Sequence, residues 1–380
     1  MDFDFSDDQE MLRDSVRKWV DKGYDFERHR SIVKAGGFSR EAWGEIADLG
    51  LTGLFVPEAH GGMGFGAVDA MVVMEELGRG LVLEPYAQGA LIAGGVLASY
   101  APQAVQAQWL PKIAAGDALV VLAHQERAAR YRLNRVDTAA KQNGAHWTLS
   151  GAKSIVPAGD KADAFIVPAR VSGAVDDPAG IALFLVERSA AGVKTRGYST
   201  QDGARASEVT FSGTPATLLV PAGQGFAALE HAVDIGIAAV CAEAVGVMDK
   251  LVAVTVEYMN TRKQFGVPIA TFQALRHRIA DVKMQLELGR SMSYFASLKM
   301  GEPPAQRRRA LAQAKLQLGN SARFVGQQCV QLHGGIGVTD EYIGSHYFKR
   351  LTLIEMAFGD MLHQLGVVSA RMQDTAGVFA

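Results

Sequence analysis

The sequence predicts a mostly α-helical protein with a small β-barrel at its centre. Three observations carry this reading. Helix-start signals and helical apolar spacing fill the chain to about residue 115. Short β-rich runs broken by Gly, Asp and Pro follow, from about 118 to 221. Long apolar stripes stepping by three and four then run from about 223 onward. The expected domains are 1–117, helical; 118–222, a middle β-barrel; and 223–380, a C-terminal four-helix bundle.

In the first domain, Ser6 followed by Gln9 is a capping-box signature ahead of Met11, Leu12 and Val16. Further helices are expected at 40–49, 66–79, 86–99 and 102–115, the last with Pro102 where a first turn tolerates proline. The strand candidates are 118–124, 146–150, 163–171, 181–187, 207–211 and 216–220. No helical run separates them, which speaks for a compact barrel and against a parallel nucleotide-binding sheet. In the last domain, Phe226, Leu229, Val233, Ile237 and Val240 begin one stripe. Phe272, Leu275, Ile279, Val282 and Leu286 form a second, and Leu311, Ala314, Leu318, Ala322, Val325 and Cys329 a third. A fourth helix is expected over about 341–372.

The chain has 380 residues, 48% of them apolar and 21% charged, enough for two or three domains with ample core. Its net charge is −2 and its densest basic run is only Arg307–Arg309, so no nucleic-acid or anionic-membrane partner is expected. No apolar run reaches the ~18 residues of a membrane span. The acidic start MDFDFSDDQE lacks the features of a signal peptide. Cys241 and Cys329 sit in apolar helical patterns without a metal-ligand cluster and read as reduced, buried thiols of a cytoplasmic protein.

Three segments stand out as candidate sites. HGGMGFG (60–66) is Gly-rich and precedes a helix, but no βαβ unit surrounds it, so a plain helix-to-helix loop competes with a phosphate role. TRKQFGVPIATFQALRHRIADV (261–282) places Arg262 and Lys263 in a break between two helices, where cations and free amides suit a pyrophosphate. QLHGGIGVTDEY (331–342) ends a helix at Gly334–Gly335, and paired glycines admit a ligand close to the backbone. An ordinary turn and an ordinary C-cap are the alternatives for the last two.

Taken together, RKQFGVPIATFQALRHRIAD and, about 50 residues on, QLHGGIGVTDEY…HYFKR resemble the acyl-CoA dehydrogenase family. LGLTGLFVPEAHGGMGFG…MEELGRG and WTLSGAKSIVPAGDKADAFIV resemble it too, so the likeness runs over essentially the whole chain. The resemblance implies the acyl-CoA dehydrogenase fold (helical domain, β-barrel, four-helix bundle) and FAD-dependent α,β-desaturation of an acyl-CoA thioester. It also implies reoxidation by an electron-transfer flavoprotein. In the family each FAD is shared: one chain's barrel holds the flavin ring and the neighbour's bundle adds contacts. By position, the contacts donated here are Arg262, Gln264, Phe265, Gln331, Gly334 and Gly335.

The chain departs from the family where its own reaction centre would be. The two positions at which the family places its catalytic glutamate correspond to Phe358 and Gly236. The substrate-binding Asp-x-x-Arg feature keeps Asp234 but has Ile237 for the Arg. The flavin-flanking Trp and Thr correspond to Ile155 and Pro157, and AHQERAARYR (123–132) replaces the usual flavin loop. The pattern resembles the small, base-less subunit of a two-gene enzyme such as pimeloyl-CoA dehydrogenase, paired with a larger homologous dehydrogenase chain in a heterotetramer. Two other readings remain open: a homomeric enzyme using a relocated acid, Asp360 or Glu355, and a binding or assembly protein that kept only the fold.

Overall fold

The computed structural model describes residues 5–370 and Met372. The extreme ends of the first and last expected domains lie outside these residues. The helices are α1 (Asp7–Gly23), α2 (Phe26–Lys34), α3 (Arg40–Asp48), α4 (Ala67–Arg79), α5 (Ala93–Tyr100), α6 (Gln103–Ala114), α7 (Gly225–Thr261), α8 (Gln273–Leu298), α9 (Pro304–His333), α10 (Ile343–Met356) and α11 (Met361–Ala370). The strands are β1 (Val120–Leu122), β2 (Ala139–Asn143), β3 (His146–Pro157), β4 (Ala164–Arg170), β5 (Ile181–Glu187), β6 (Val193–Ser199) and β7 (Arg205–Val220), with a small hairpin of β8 (Lys263–Gln264) and β9 (Val267–Pro268). By contact density the chain forms two compact units.

One unit comprises 31–66 and 83–236. Its sheet closes on itself: β4 pairs β2, β2 pairs β3, β3 pairs β7, β7 pairs β5 and β5 returns to β4, while β1 extends β4 in parallel and β6 lies on β7. Closure removes free edges, which is how a small all-β domain avoids edge-to-edge association. The interior is filled by Leu149, Phe165, Val167, Phe184, Val186 and Phe211, and Trp43 of α3 packs onto the same cluster. The Trp43 indole donates to the Gly116 carbonyl at 3.0 Å, so its one polar atom is satisfied.

Apolar spacing alone splits β7 into two strands, 207–211 and 216–220. The structure carries one strand through Ser212–Pro215, because β3 follows it with a register shift between Leu149 and Gly151. It also adds β2 and β6, whose polar sequences carry no apolar alternation and which exist by virtue of their neighbours.

The other unit comprises the chain up to Arg30, 67–82 and 237 onward. The expected capping box is present: Gln9 N–H donates to Ser6 Oγ, and Ser6 N–H donates to Gln9 Oε1. Helix α7 is buried almost all round between 232 and 248, as expected for a central bundle helix. It crosses α4 so closely that a Cβ at Gly246 would lie 1.8 Å from the Glu75 carbonyl oxygen. Ion pairs on buried glutamates lace the helices, Arg17 and Arg79 on Glu76 and Arg350 on Glu243. Both cysteines are buried and free.

The expected last helix, 341–372, is two helices. Phe358 has φ 57° and Gly359 φ 108°, neither helical, and Asp360 then starts α11. The overlooked signal is Phe-Gly-Asp: a glycine where a helix ends and an aspartate where the next begins.

Candidate functional site

The segments 261–271 and 331–338 come together at one end of the bundle unit. Met259, Ile269 and Leu332 form a small apolar cluster, with Tyr258, Phe272 and Leu275 packed on it. His333 seals the junction. Its ring lies 4.7 Å from that of Tyr258 and 4.8 Å from that of Tyr342. Nδ1 lies 2.7 Å from the Cys329 carbonyl, so it carries the proton, and Nε2 accepts from the Tyr342 hydroxyl at 2.9 Å. Burial holds this imidazole below its ordinary value, opposed by its backbone hydrogen bonds, which keeps it neutral at physiological pH. His333 and Tyr342 lie within the candidate segment 331–342, but pattern marks neither them nor Tyr258 as a site residue. The only signal is a histidine in register with an apolar stripe, which reads equally as core.

On this base stand the six residues that the resemblance nominated. Arg262 and Gln264 are exposed, and Lys263–Gln264 pairs with Val267–Pro268 across a two-residue turn. That turn is Phe265–Gly266, with φ 55° and 81°. Positive φ at both central residues is the turn that matches hairpin twist, and it is normally Asn-Gly. A phenylalanine there is strained, and its side chain is 92% exposed. Gln331 is exposed at the end of α9. Gly334 follows with φ 65° and ψ −142°, a conformation essentially reserved for glycine. Added Cβ atoms at Gly266, Gly334 and Gly335 would meet nothing within 4 Å, so these backbones face open space. A guanidinium, two carboxamides, an aromatic face and bare glycine backbone are thus exposed on two segments whose bases pack together. That set can grip an anionic, partly planar ligand from one side.

The stretch around the expected base is arranged differently. The Glu355 carboxylate accepts the Met361 amide at 2.8 Å, and Asp360 accepts the His363 amide at 2.8 Å. Both acids therefore cap the first turn of α11. Gln364 donates to the Phe358 carbonyl at 3.0 Å. Lys315, buried in the middle of α9, donates to the Glu355 and Gly359 carbonyls at 2.7 and 3.3 Å. Burial pulls its amine below the ordinary lysine value. A lysine inside an apolar stripe is the one hint of it in the sequence.

In the barrel unit, Ile155 sits on β3 with φ 52° and 55% of its side chain exposed. A β-branched residue with positive φ is a genuine outlier. Beside it, buried Lys153 pairs with buried Glu126 at 2.6 Å. Glu126 also accepts the Asp137 amide and the Thr138 amide and hydroxyl. Burial raises this carboxyl, but Lys153 and the hydrogen bonds outweigh burial and hold it below the ordinary value. The 123–138 segment is therefore stapled to β3. Gly236 and buried Asp234 lie on α7. The Gly-rich 60–66 loop is no phosphate cradle: the Met63, Gly64 and Phe65 amides are spent on the carbonyls of Gly53, Val56 and Leu54.

Comparison with known proteins decides the lineage. The chain matches three family signatures in order: acyl-CoA dehydrogenase N-terminal domain over 6–117, middle domain over 122–214 and C-terminal domain over 223–373. The chain belongs to the acyl-CoA dehydrogenase family. It is 31% identical to the mitochondrial long-chain specific acyl-CoA dehydrogenase of Sus scrofa over 349 residues, 89% of this chain and 80% of that protein. Acyl-CoA dehydrogenase FadE27 of Mycobacterium tuberculosis is 28% identical over 99% of this chain and 100% of its own length. The ChsE4–ChsE5 complex of the same organism superposes with TM-score 0.89 at 26% identity, covering 98% of this chain and 99% of that one. The family consists of flavoprotein oxidoreductases that desaturate acyl-CoA thioesters, with FAD as the typical cofactor. Among the described residues, no helix is long and apolar enough to cross a membrane and no His, Cys, Asp or Glu group could hold a metal.

Proposed function

We propose that this acyl-CoA dehydrogenase chain is one subunit of a heteromeric enzyme, lending FAD contacts to a larger homologous partner and carrying no catalytic base of its own. The observation that carries the reading is the α10–α11 junction. Desaturation needs a carboxylate with a free lone pair to take the α proton. Phe358 and Gly236 cannot supply one. The nearby acids, Glu355 and Asp360, are turned onto the amides of α11. Lys315 holds the backbone carbonyls of Glu355 and Gly359 on either side of Phe358, which supports the junction in this arrangement.

The donor surface supports the other half. Arg262 supplies positive charge suited to the FAD pyrophosphate, Gln264 and Gln331 supply hydrogen bonds, and Phe265 a face for an adenine or ribose. The open backbone at Gly334 and Gly335 lets the cofactor lie close. FAD, when bound, supplies the hydride acceptor. This chain's residues would hold and orient it on the partner's barrel, and an electron-transfer flavoprotein would take the electrons onward. Asp234 would remain as a substrate-side contact.

Co-expression with a larger homologous dehydrogenase chain tests the reading. Two polypeptides should co-purify in equal amounts, yellow and active on acyl-CoA, whereas the single chain should be inactive. An Asp360→Asn change should leave the complex's kcat within about twofold and its stability nearly unchanged, since Asn caps a helix about as well as Asp. A single chain that oxidises acyl-CoA at a rate comparable to the pair, or an Asp360→Asn complex that loses kcat by orders of magnitude, would overturn it. A colourless complex would point instead to an assembly protein.

A further inference from the structure

The bundle unit contains a half-open cavity of about 180 Å³ that is lined by none of the residues discussed so far as an FAD contact or base. Five helices and the turn after α4 build it: Val20 and Asp21 from α1, Phe26 and His29 from α2, Arg79 from α4, Lys250 from α7, and Ile343 and Tyr347 from α10. The wall at Leu81 is held with φ 53°, a strained backbone for a leucine. Its carbonyl accepts from His29 at 2.9 Å, and the Tyr347 hydroxyl donates to the Arg79 carbonyl at 2.8 Å. The lining is therefore organised by specific contacts.

Its charges are unevenly committed. Asp21 is paired with Arg79 at 2.9 Å. Asp25 accepts the Arg28 amide at 2.8 Å and so caps α2. Lys250 is half-buried, and among the described residues no hydrogen bond or ion pair holds its ammonium. The two carboxylates of the lining, Asp21 and Asp25, are thus committed elsewhere, which leaves the half-buried Lys250 ammonium without a partnered counter-charge in a hollow that also offers Phe26, Leu81 and Ile343. We infer that this cavity binds a small organic carboxylate, its anionic end on Lys250 and its apolar body against Phe26, Leu81 and Ile343. The volume suits a single ring, since a cavity of ~150 Å³ accepts benzene.

Benzoate is the probe, added to the full chain and, separately, to its complex. Thermal unfolding should shift upward with benzoate and saturate. Lys250→Met should weaken that binding by about tenfold or more. Ile343→Phe, which fills the hollow and leaves the charge in place, should abolish it. Inorganic phosphate, with no apolar body, should give no saturable shift. The inference is overturned if benzoate gives no saturable shift, if its effect survives both substitutions, or if phosphate alone saturates. None of these outcomes depends on whether the chain works as a silent subunit, because the readout is binding and not turnover.

Discussion

At the scale of single residues, Glu75 is the sharpest case. Burial pushes its carboxyl up to about 7, with Arg290 at 3.4 Å and Arg13 pulling the other way and Glu76 and Asp249 adding to the rise. One of its oxygens, Oε1, is buried without a hydrogen bond. A carboxyl whose folded pKa lies above its unfolded value of 4.5 stabilises the fold in its protonated form. That contribution is complete below the unfolded value and is lost as pH climbs through about 7. At alkaline pH the buried charge thus costs up to about 3 kcal/mol. Glu75→Gln should raise the Tm at pH 8 and leave it nearly unchanged at pH 5. Equal shifts at the two pH values would remove this account. Arg290 would not be stranded, since Asp249 and Glu287 also hold it.

At the scale of elements, the packing of α4 on α7 decides how much the bundle unit tolerates. Their contact is backbone against backbone: Cβ atoms at Gly78 and Gly246 would lie 2.3 and 1.8 Å from carbonyls of the other helix. No side chain can yield there, so Gly246→Ala must push the helices apart. We expect a loss of about 3 kcal/mol or more in urea unfolding. Gly366 in α11 is the control. A Cβ there meets nothing within 4 Å, and Gly366→Ala should stabilise that helix by about 0.5–1 kcal/mol. Similar costs at both glycines would show that helix propensity, and not the crossing, sets the effect.

At the scale of the whole molecule, strained backbone is spread over both units, and one such position carries a side chain that the proposed function needs exposed. Phe265 occupies a turn position that Asn takes more readily, and it stays 92% exposed with only an edge-to-face contact to Phe272 recorded among the described residues. Phe265→Asn should therefore raise the stability of the isolated chain by about 1 kcal/mol while lowering the FAD retained by the heteromeric enzyme. Retention can be followed by flavin absorbance after gel filtration. A variant that gains stability and keeps its full flavin complement would show that Phe265 serves no cofactor.

The sequence by itself determined the division into helices, barrel and bundle, because hydrophobic period is a local property that burial on one face imposes directly. Local pattern also singled out Arg262 and the Gly334–Gly335 pair, since glycine and charge at helix ends are legible without coordinates, whereas Gln264, Phe265 and Gln331 were expected only from the family resemblance. It did not show polar β2 and β6, whose strand state comes from the strands they pair with. It ran α10 and α11 together, because a short break in apolar spacing is invisible to periodicity. Only the tertiary structure turned Glu355 and Asp360 from spare acids into helix caps, brought Lys315 onto the same junction, joined the segments around Arg262 and Gly334 through Tyr258 and His333, and opened the hollow beside Lys250. Each of these depends on groups far apart in sequence meeting in space, and the geometry of that meeting decides whether a carboxylate is free to take a proton or already holds an amide.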